Sequence, residues 1–376
     1  MQSFRTVADI RIERGGASKI DAHIEGLCAN KRVFIVTDAG LHGLGLLDVA
    51  KHALREAGYS VEVFDQVVAD PPEKIVLAGA KRALDFGAGL ILGFGGGSPM
   101  DAAKVIALLA GSGQEIGTMY GVNMATGPRL TLMLVPTTAG TGSEVTNVAI
   151  LTTGETEKQG IVANGLYADR VLLDAALTTG LPHMTTAATG IDAMVHAIEA
   201  YTSLPQKNRI SDSLALAALT RLTDSLEHVC KDGHDIDARE NMLIGAMLAG
   251  QAFSNAPCAA IHALAYPLGG FFHVPHGLSN ALVMSGVMEY NLPKAAELYG
   301  EIAEHLQLGG KGTNLIDEMQ RIKDSVRVPQ TLRSVNIPAS AIEIMAADAM
   351  TKTRLLVNNP RQMTMAATVK VYEDIA

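Results

Sequence analysis

No two of the three cysteines, Cys28, Cys230 and Cys258, form a C-x-x-C pair, and one is left over. A disulfide framework or a thiolate zinc knuckle is therefore not expected, and free thiols fit a reducing, cytoplasmic setting. The opening segment MQSFRTVADIRIERGG carries charges throughout and lacks an apolar stretch, so it is not expected to be a signal peptide. No apolar run approaches a membrane span, since even TLMLVP gives way to PTTAGTGSE. A surplus of positive charge is also missing. The formal net charge of -9 disfavours nucleic acid or an anionic membrane as partner and points to small molecules. What remains is a chain of 376 residues, 48% hydrophobic and 18% charged, enough for two domains around large cores.

The first half alternates short apolar runs with amphipathic stretches. RVFIVTD (32–38), SVEVFD (60–65), GLILGFGGG (89–97), LTLMLVPTT (130–138) and RVLLD (170–174) read as strands. Segments such as VAKHALREAGY and EKIVLAGAKRALDFGA place apolar residues three and four apart, as helices do. This alternation predicts a mainly parallel sheet covered by helices. Beyond Asp174 the pattern is helical almost to the end, with Ala, Leu and Met at helical spacing. The expected architecture is an α/β domain over 1–178 and an all-helical domain over 179–376, with the many methionines packing the core.

GLILGFGGGSPMDAAKVIALLA reads as a buried strand, a glycine turn and a helix in succession. Gly95, Gly96 and Gly97 would let a ligand approach the backbone, and the helix start would offer N–H groups to a phosphate. Ser98 is expected as the helix cap, Pro99 as its first residue, and Asp101 as the partner in a capping-box-like arrangement. The segment is not the G-x-G-x-x-G fingerprint, and a plain structural turn is the competing reading. Asp38, closing the strand RVFIVTD, would accept hydrogen bonds from a ribose 2'-hydroxyl and repel a 2'-phosphate, favouring NAD over NADP. It could equally just begin the turn DAG.

One carboxylate and three imidazoles stand out in the second half. Asp192 and His196, in GIDAMVHAIEAYTS, lie four apart and share a helix face. His262 and His276, in HALAYPLGGFFHVPHG, are too far apart for one turn, so they call for a helix and a following turn, which PHG supplies. Nitrogen and oxygen donors of this kind suit Fe(II) or Zn(II). A hydrogen-bonded Asp/His pair and a satisfied core histidine are the bland alternatives.

Both segments resemble the metal-binding signatures of the iron-containing, or group III, alcohol dehydrogenases, and the resemblance runs through nearly the whole chain. It implies an iron-dehydrogenase, dehydroquinate synthase-like architecture with Asp192, His196, His262 and His276 as the four ligands. It also implies that the GGGSxxD segment (Gly95, Gly96, Gly97, Ser98, Asp101) binds a dinucleotide pyrophosphate. PTTAGTGSEVT is similar to the family segment in which threonines contact the cofactor, here Thr137, Thr138 and Thr141, and Lys158 falls where relatives hold a lysine near the nicotinamide-side ribose. The implied enzyme is a metal-dependent, NAD-linked alcohol dehydrogenase or aldehyde reductase using Fe(II), with Zn(II) possible, working in a homodimer or larger assembly. Its ion would polarise the oxygen of a small alcohol or aldehyde in a dry cleft. Phe253 is a candidate pocket wall, with core packing the competing role. Many relatives carry a histidine four residues after the third ligand, where this chain has Tyr266, a poor base near neutral pH. His273 could reach that space if the helix persists through Gly269 and Gly270. Two rival activities belong to the same fold: a polyol dehydrogenase, and a dehydroquinate synthase-like cyclase, for which the basic cluster a phosphorylated substrate needs is not seen around Asp192. An ion that only ties the helices together is the non-enzymatic rival, and the glycine loop argues against it.

Overall fold

The computed structural model describes residues 3–154 and 157–376, which form two compact units. One comprises Thr6–Thr138 and Gly142–Gly180. The other comprises residues 3–5, Ala139–Thr141 and Leu181–Ala376. The short segment 139–141 thus belongs with the helices, although the sequence division puts it in the first domain.

In the first unit a six-stranded sheet is built from β1 (Ile10–Ile12), β2 (Arg32–Asp38), β3 (Ser60–Val67), β4 (Leu90–Gly95), β6 (Thr131–Pro136) and β9 (Arg170–Leu173). Its order is β1-β9-β6-β4-β2-β3, with every pairing parallel. Val33 to Val36, Leu90 to Leu92 and Leu132 to Val135 are fully buried, because parallel strands covered on both faces must be apolar on both. The accompanying helices are α1 (Ile20–Ile24), α2 (Ala39–Gly43), α3 (Asp48–Glu56), α4 (Glu73–Phe86) and α5 (Gly97–Ser112). A smaller sheet of β5 (Gly121–Val122), β8 (Glu157–Val162) and β7 (Val148–Thr153) has β7 and β8 antiparallel. Neither this sheet nor β1 was expected: IRI and GV are very short, and VAILTT and EKQGIV form strands that stay partly exposed.

The chain runs from β2 outward to β3, returns to β4 on the far side of β2, and continues to β6 and β9. The order reverses between β2 and β4, so the carboxyl ends holding Asp38 and Gly95 flank the switch point where open α/β sheets bind ligands.

The second unit is entirely helical among its described residues: α6 (His183–Thr202), α7 (Arg209–Lys231), α8 (Ile236–Asn255), α9 (Ala260–Phe272), α10 (His276–His305), α11 (Gly312–Ser325), α12 (Ile342–Thr351), α13 (Thr353–Leu356) and α14 (Met365–Asp374). Helix α6 is its axis. Its residues are buried on every side from Gly190 to Thr202, against α7, α8 and α10. Met242, Met247, Met284, Met288 and Met345 fill the core, as their spacing predicts.

Candidate functional site

Three charged or polar side chains project from one face of α6: Asp192, His196 one turn on, and Glu199 a further turn on. A buried helix can hold the two carboxylates because each meets a polar partner, Asp192 from α10 and Glu199 from α9. Helix α9 brings His262, and α10 opens with His276 directly after the Val274-Pro275 turn. One ligand atom each from Asp192, His196, His262 and His276 lies within 4.8 Å of all the others. The His196 and His262 rings are 4.7 Å apart between centroids, and those of His262 and His276 are 5.3 Å apart. Asp192, His196 and His262 are buried, whereas the His276 side chain keeps 32% of its surface exposed and forms the open side.

Two further residues complete the cluster. Glu199 accepts from the backbone N–H of Ala259 (2.9 Å) and of Ile261 (2.7 Å), and pairs with His262 Nδ1 at 2.6 Å. That contact turns Nε2 of His262 toward the cluster, where it becomes a ligand atom once its proton is displaced. Asn280, one turn after His276, donates from Nδ2 to Asp192 Oδ1 at 2.6 Å and lies 3.3 Å from Nε2 of both His262 and His276. Neither residue was among the sequence candidates. Both were detectable, because D-x-x-x-H-x-x-E and H-x-x-x-N each repeat the helical spacing of the ligands.

The chemistry of this set fits a divalent ion. His196 Nδ1 and Asn280 Oδ1 are buried without a hydrogen-bond partner among the described residues, an arrangement too costly to keep idle. Burial pushes His196 down to about 3 against the pull of Asp192, so its ring is neutral and able to ligate at any physiological pH. Burial would raise Asp192, but the surrounding imidazoles and the Asn280 amide outweigh it and hold the carboxyl below its usual range. His262 is depressed by burial yet carried well above the usual imidazole range by Cys258 and Glu199, so an ion would have to displace a proton there.

Phe253 stacks on the His196 ring at 4.3 Å and 20°. It therefore steadies a ligand as well as lining its surroundings. Tyr266 lies 6.3 Å from the His276 ring, between centroids. Helix α9 does continue through Gly269 and Gly270 but stops at Phe272, and His273 caps it in the left-handed conformation (φ 56°) with its side chain exposed. His273 thus stands at the exposed end of α9, where the chain enters the Val274-Pro275 turn.

In the sheet unit, Gly95 ends β4, and a Cβ there would fall 2.8 Å from the Pro99 ring. The helix cap is Gly96 and not Ser98: α5 begins at Gly97, without a side-chain cap, leaving its first N–H groups for a ligand. Pro99 sits inside this first turn, where its missing N–H costs nothing. Ser98 Oγ instead accepts from the backbone N–H of Asp70 (3.3 Å). Asp101 completes no capping box; it turns to the Ser143 hydroxyl (2.5 Å) and the Ile150 N–H (2.9 Å), which offer it buried donors. Lys158 pairs with Asp70 at 2.8 Å, so Asp70 links Ser98 and Lys158. Asp38 accepts from Leu41 N–H at 2.8 Å and caps α2, the turn-starting role, through its Oδ1 atom. Thr137 is buried and donates its N–H to the Gly95 carbonyl, Thr138 lies beside Gly96, and Thr141 belongs to the segment counted with the helices. The glycine turn, Thr137, Thr138 and Asp38 thus come from strand ends at or next to the switch point, an arrangement that fits a dinucleotide.

Residues 8–175 match the family model described as iron-containing alcohol dehydrogenase, and residues 186–376 match that of the Fe-containing alcohol dehydrogenase family, C-terminal. Long-chain-alcohol dehydrogenase 1 of Geobacillus thermodenitrificans is 39% identical over 355 residues, covering 91% of this chain and 89% of that protein. Alcohol dehydrogenase 4 of Saccharomyces cerevisiae is 37% identical over 347 residues, covering 91% and 90%. Among solved structures, a 1,3-propanediol oxidoreductase superposes with a TM-score of 0.95 at 32% identity, over 100% of both chains.

Proposed function

The chain belongs to the iron-containing alcohol dehydrogenase family and is a metal-dependent, NAD(H)-linked alcohol dehydrogenase, and from that premise we propose that its substrates are small primary alcohols and the corresponding aldehydes. The observation that carries this reading is the buried Asp192, His196, His262 and His276 cluster with one ligand open. We assign these four side chains the ion, and the Gly95–Gly97 turn, Thr137, Thr138 and Asp38 the dinucleotide.

When bound, the ion supplies Lewis-acid polarisation of the substrate oxygen, and the nicotinamide supplies or accepts the hydride. The chain's own part is positioning. Glu199 keeps the His262 ring turned with Nε2 toward the cluster, Asn280 holds Asp192 by one oxygen, and Phe253 packs the face of His196. The partly exposed His276 marks the side from which an alcohol enters, with Tyr266 beside it. The aromatic surroundings of Phe253 and Tyr266 favour an alkyl chain over a polyol, whose extra hydroxyls would need polar partners. Tyr266 is also better placed than the outward His273 to influence the alcohol proton. The three free thiols support a reducing, cytoplasmic setting, and the family resemblance supports a homodimer or larger assembly.

The test is a panel of primary alcohols, glycerol and aldehydes, assayed with NAD and NADP on apoprotein loaded with Fe(II) or with Zn(II). Metal-dependent oxidation of a primary alcohol with NAD, faster in the iron form, is expected. Four protein ligands already fill a tetrahedron, and iron expands its coordination readily. Glycerol preferred over simple alcohols would favour the polyol reading, and His276→Ala retaining full metal content and turnover would sink the assignment of the ligands.

A further inference from the structure

Lys104 lies on α5, two turns into the helix that starts at the glycine turn, and its side chain is fully buried. Its ammonium donates to the Ser143 hydroxyl (2.8 Å), the Thr146 hydroxyl (3.1 Å) and the Val148 carbonyl (2.8 Å), using all three of its protons. Asp101, one turn earlier, lies 3.6 Å from it and binds the same Ser143 hydroxyl together with the Ile150 N–H. Every partner lies in 143–150, the stretch that follows the threonine segment and leads into β7.

An ammonium buried this completely is expensive, and an apolar side chain of similar length would pack at less cost. A fully satisfied network of this kind earns its place by fixing geometry. The two elements it joins are the helix whose start forms the glycine turn and the segment that continues the Thr137–Thr138 strand end. We propose that Lys104 is a positioning residue for the dinucleotide, setting the spacing between the Gly95–Gly97 turn and the Thr137–Thr138 strand end. The proposal rests on the reading above, that these two segments hold NAD.

The test is isothermal titration of metal-loaded protein with NAD, beside steady-state kinetics, for Lys104→Met and for the double variant Ser143→Ala/Thr146→Val. The double variant keeps the ammonium, removes two of its acceptors, and carries the test if Lys104→Met does not fold. The expected result is about a tenfold or larger rise in the Kd and KM for NAD in Lys104→Met. A smaller rise is expected in the double variant, with metal content unchanged and kcat at saturating NAD nearly preserved. A purely structural lysine would lower the melting temperature and leave the Kd for NAD within about twofold of the parent; that result overturns the proposal. Failure of the parent protein itself to bind NAD would instead remove the cofactor reading on which the proposal stands.

Discussion

Glu199 accepts two backbone N–H groups and meets the His262 ring with the same carboxylate, so its position is fixed by the protein's own contacts. Removing its charge with Glu199→Gln weakens the grip on Nδ1 without emptying the space. Loss of such an outer partner typically lowers metal affinity by about 10–100-fold. The expected outcome is that drop, measured by competition with a chelator, in a protein whose NAD affinity is unchanged. Parent-like metal affinity would show that the ring is held by packing alone. Asp38 offers a second test at this scale. It caps α2 through one oxygen, and the reading above turns the carboxylate's charge on the ribose. Asp38→Gly should shift the ratio of kcat/KM for NAD over NADP toward NADP by about tenfold, equivalent to about 1.4 kcal/mol. An unchanged ratio would confine Asp38 to its capping role.

The approach of α10 to α6 is what closes the metal cluster, and Gly277 permits it. A Cβ at that position would lie 2.4 Å from the Ala188 carbonyl oxygen and 3.2 Å from Asp192 Cβ. Since both neighbours belong to the helix that carries Asp192, Gly277→Ala must push the start of α10, and His276 with it, away from α6. Overpacking of this kind costs about 1–3 kcal/mol. A lower melting temperature together with reduced metal occupancy is expected, and full occupancy would mean that α10 yields by sliding instead. At the same scale the sequence was most legible where a pattern had to satisfy one rule. The inner strands β2, β4 and β6 are buried on both faces and read as apolar runs, and α6 betrays itself by the four-residue step from Asp192 to His196. Strand β1 and the β5-β8-β7 sheet went unread because their strands are short or only partly buried, so none had to be apolar throughout.

Across the whole molecule, stability should depend on pH through a group far along the chain from the metal ligands. The Glu144 carboxyl is 2% exposed, and burial pushes it up to about 7 from an ordinary value of 4.5. Between those values the folded protein holds a proton that the unfolded chain has released. Stability is therefore full below the lower value and is lost as pH rises through the upper one, by an amount on the order of 3 kcal/mol. Glu144→Gln should match the parent's urea midpoint near about pH 5 and exceed it near about pH 8. Equal midpoints at both values would show that Glu144 ionises as freely when folded as when unfolded. The sequence by itself determined the fold class and the family, and it picked out the four candidate ligands, because each of these rests on local periodicity or on motifs contiguous in the chain. The tertiary structure alone decided that Gly96 and not Ser98 caps α5, that Asp101 joins Lys104 and Ser143, and that His273 turns outward. It alone showed what Glu199, Asn280 and Asp70 touch, since a side chain's partner is chosen by which elements pack together, and residues as distant as Glu199 and His262 meet only once α6 and α9 have docked.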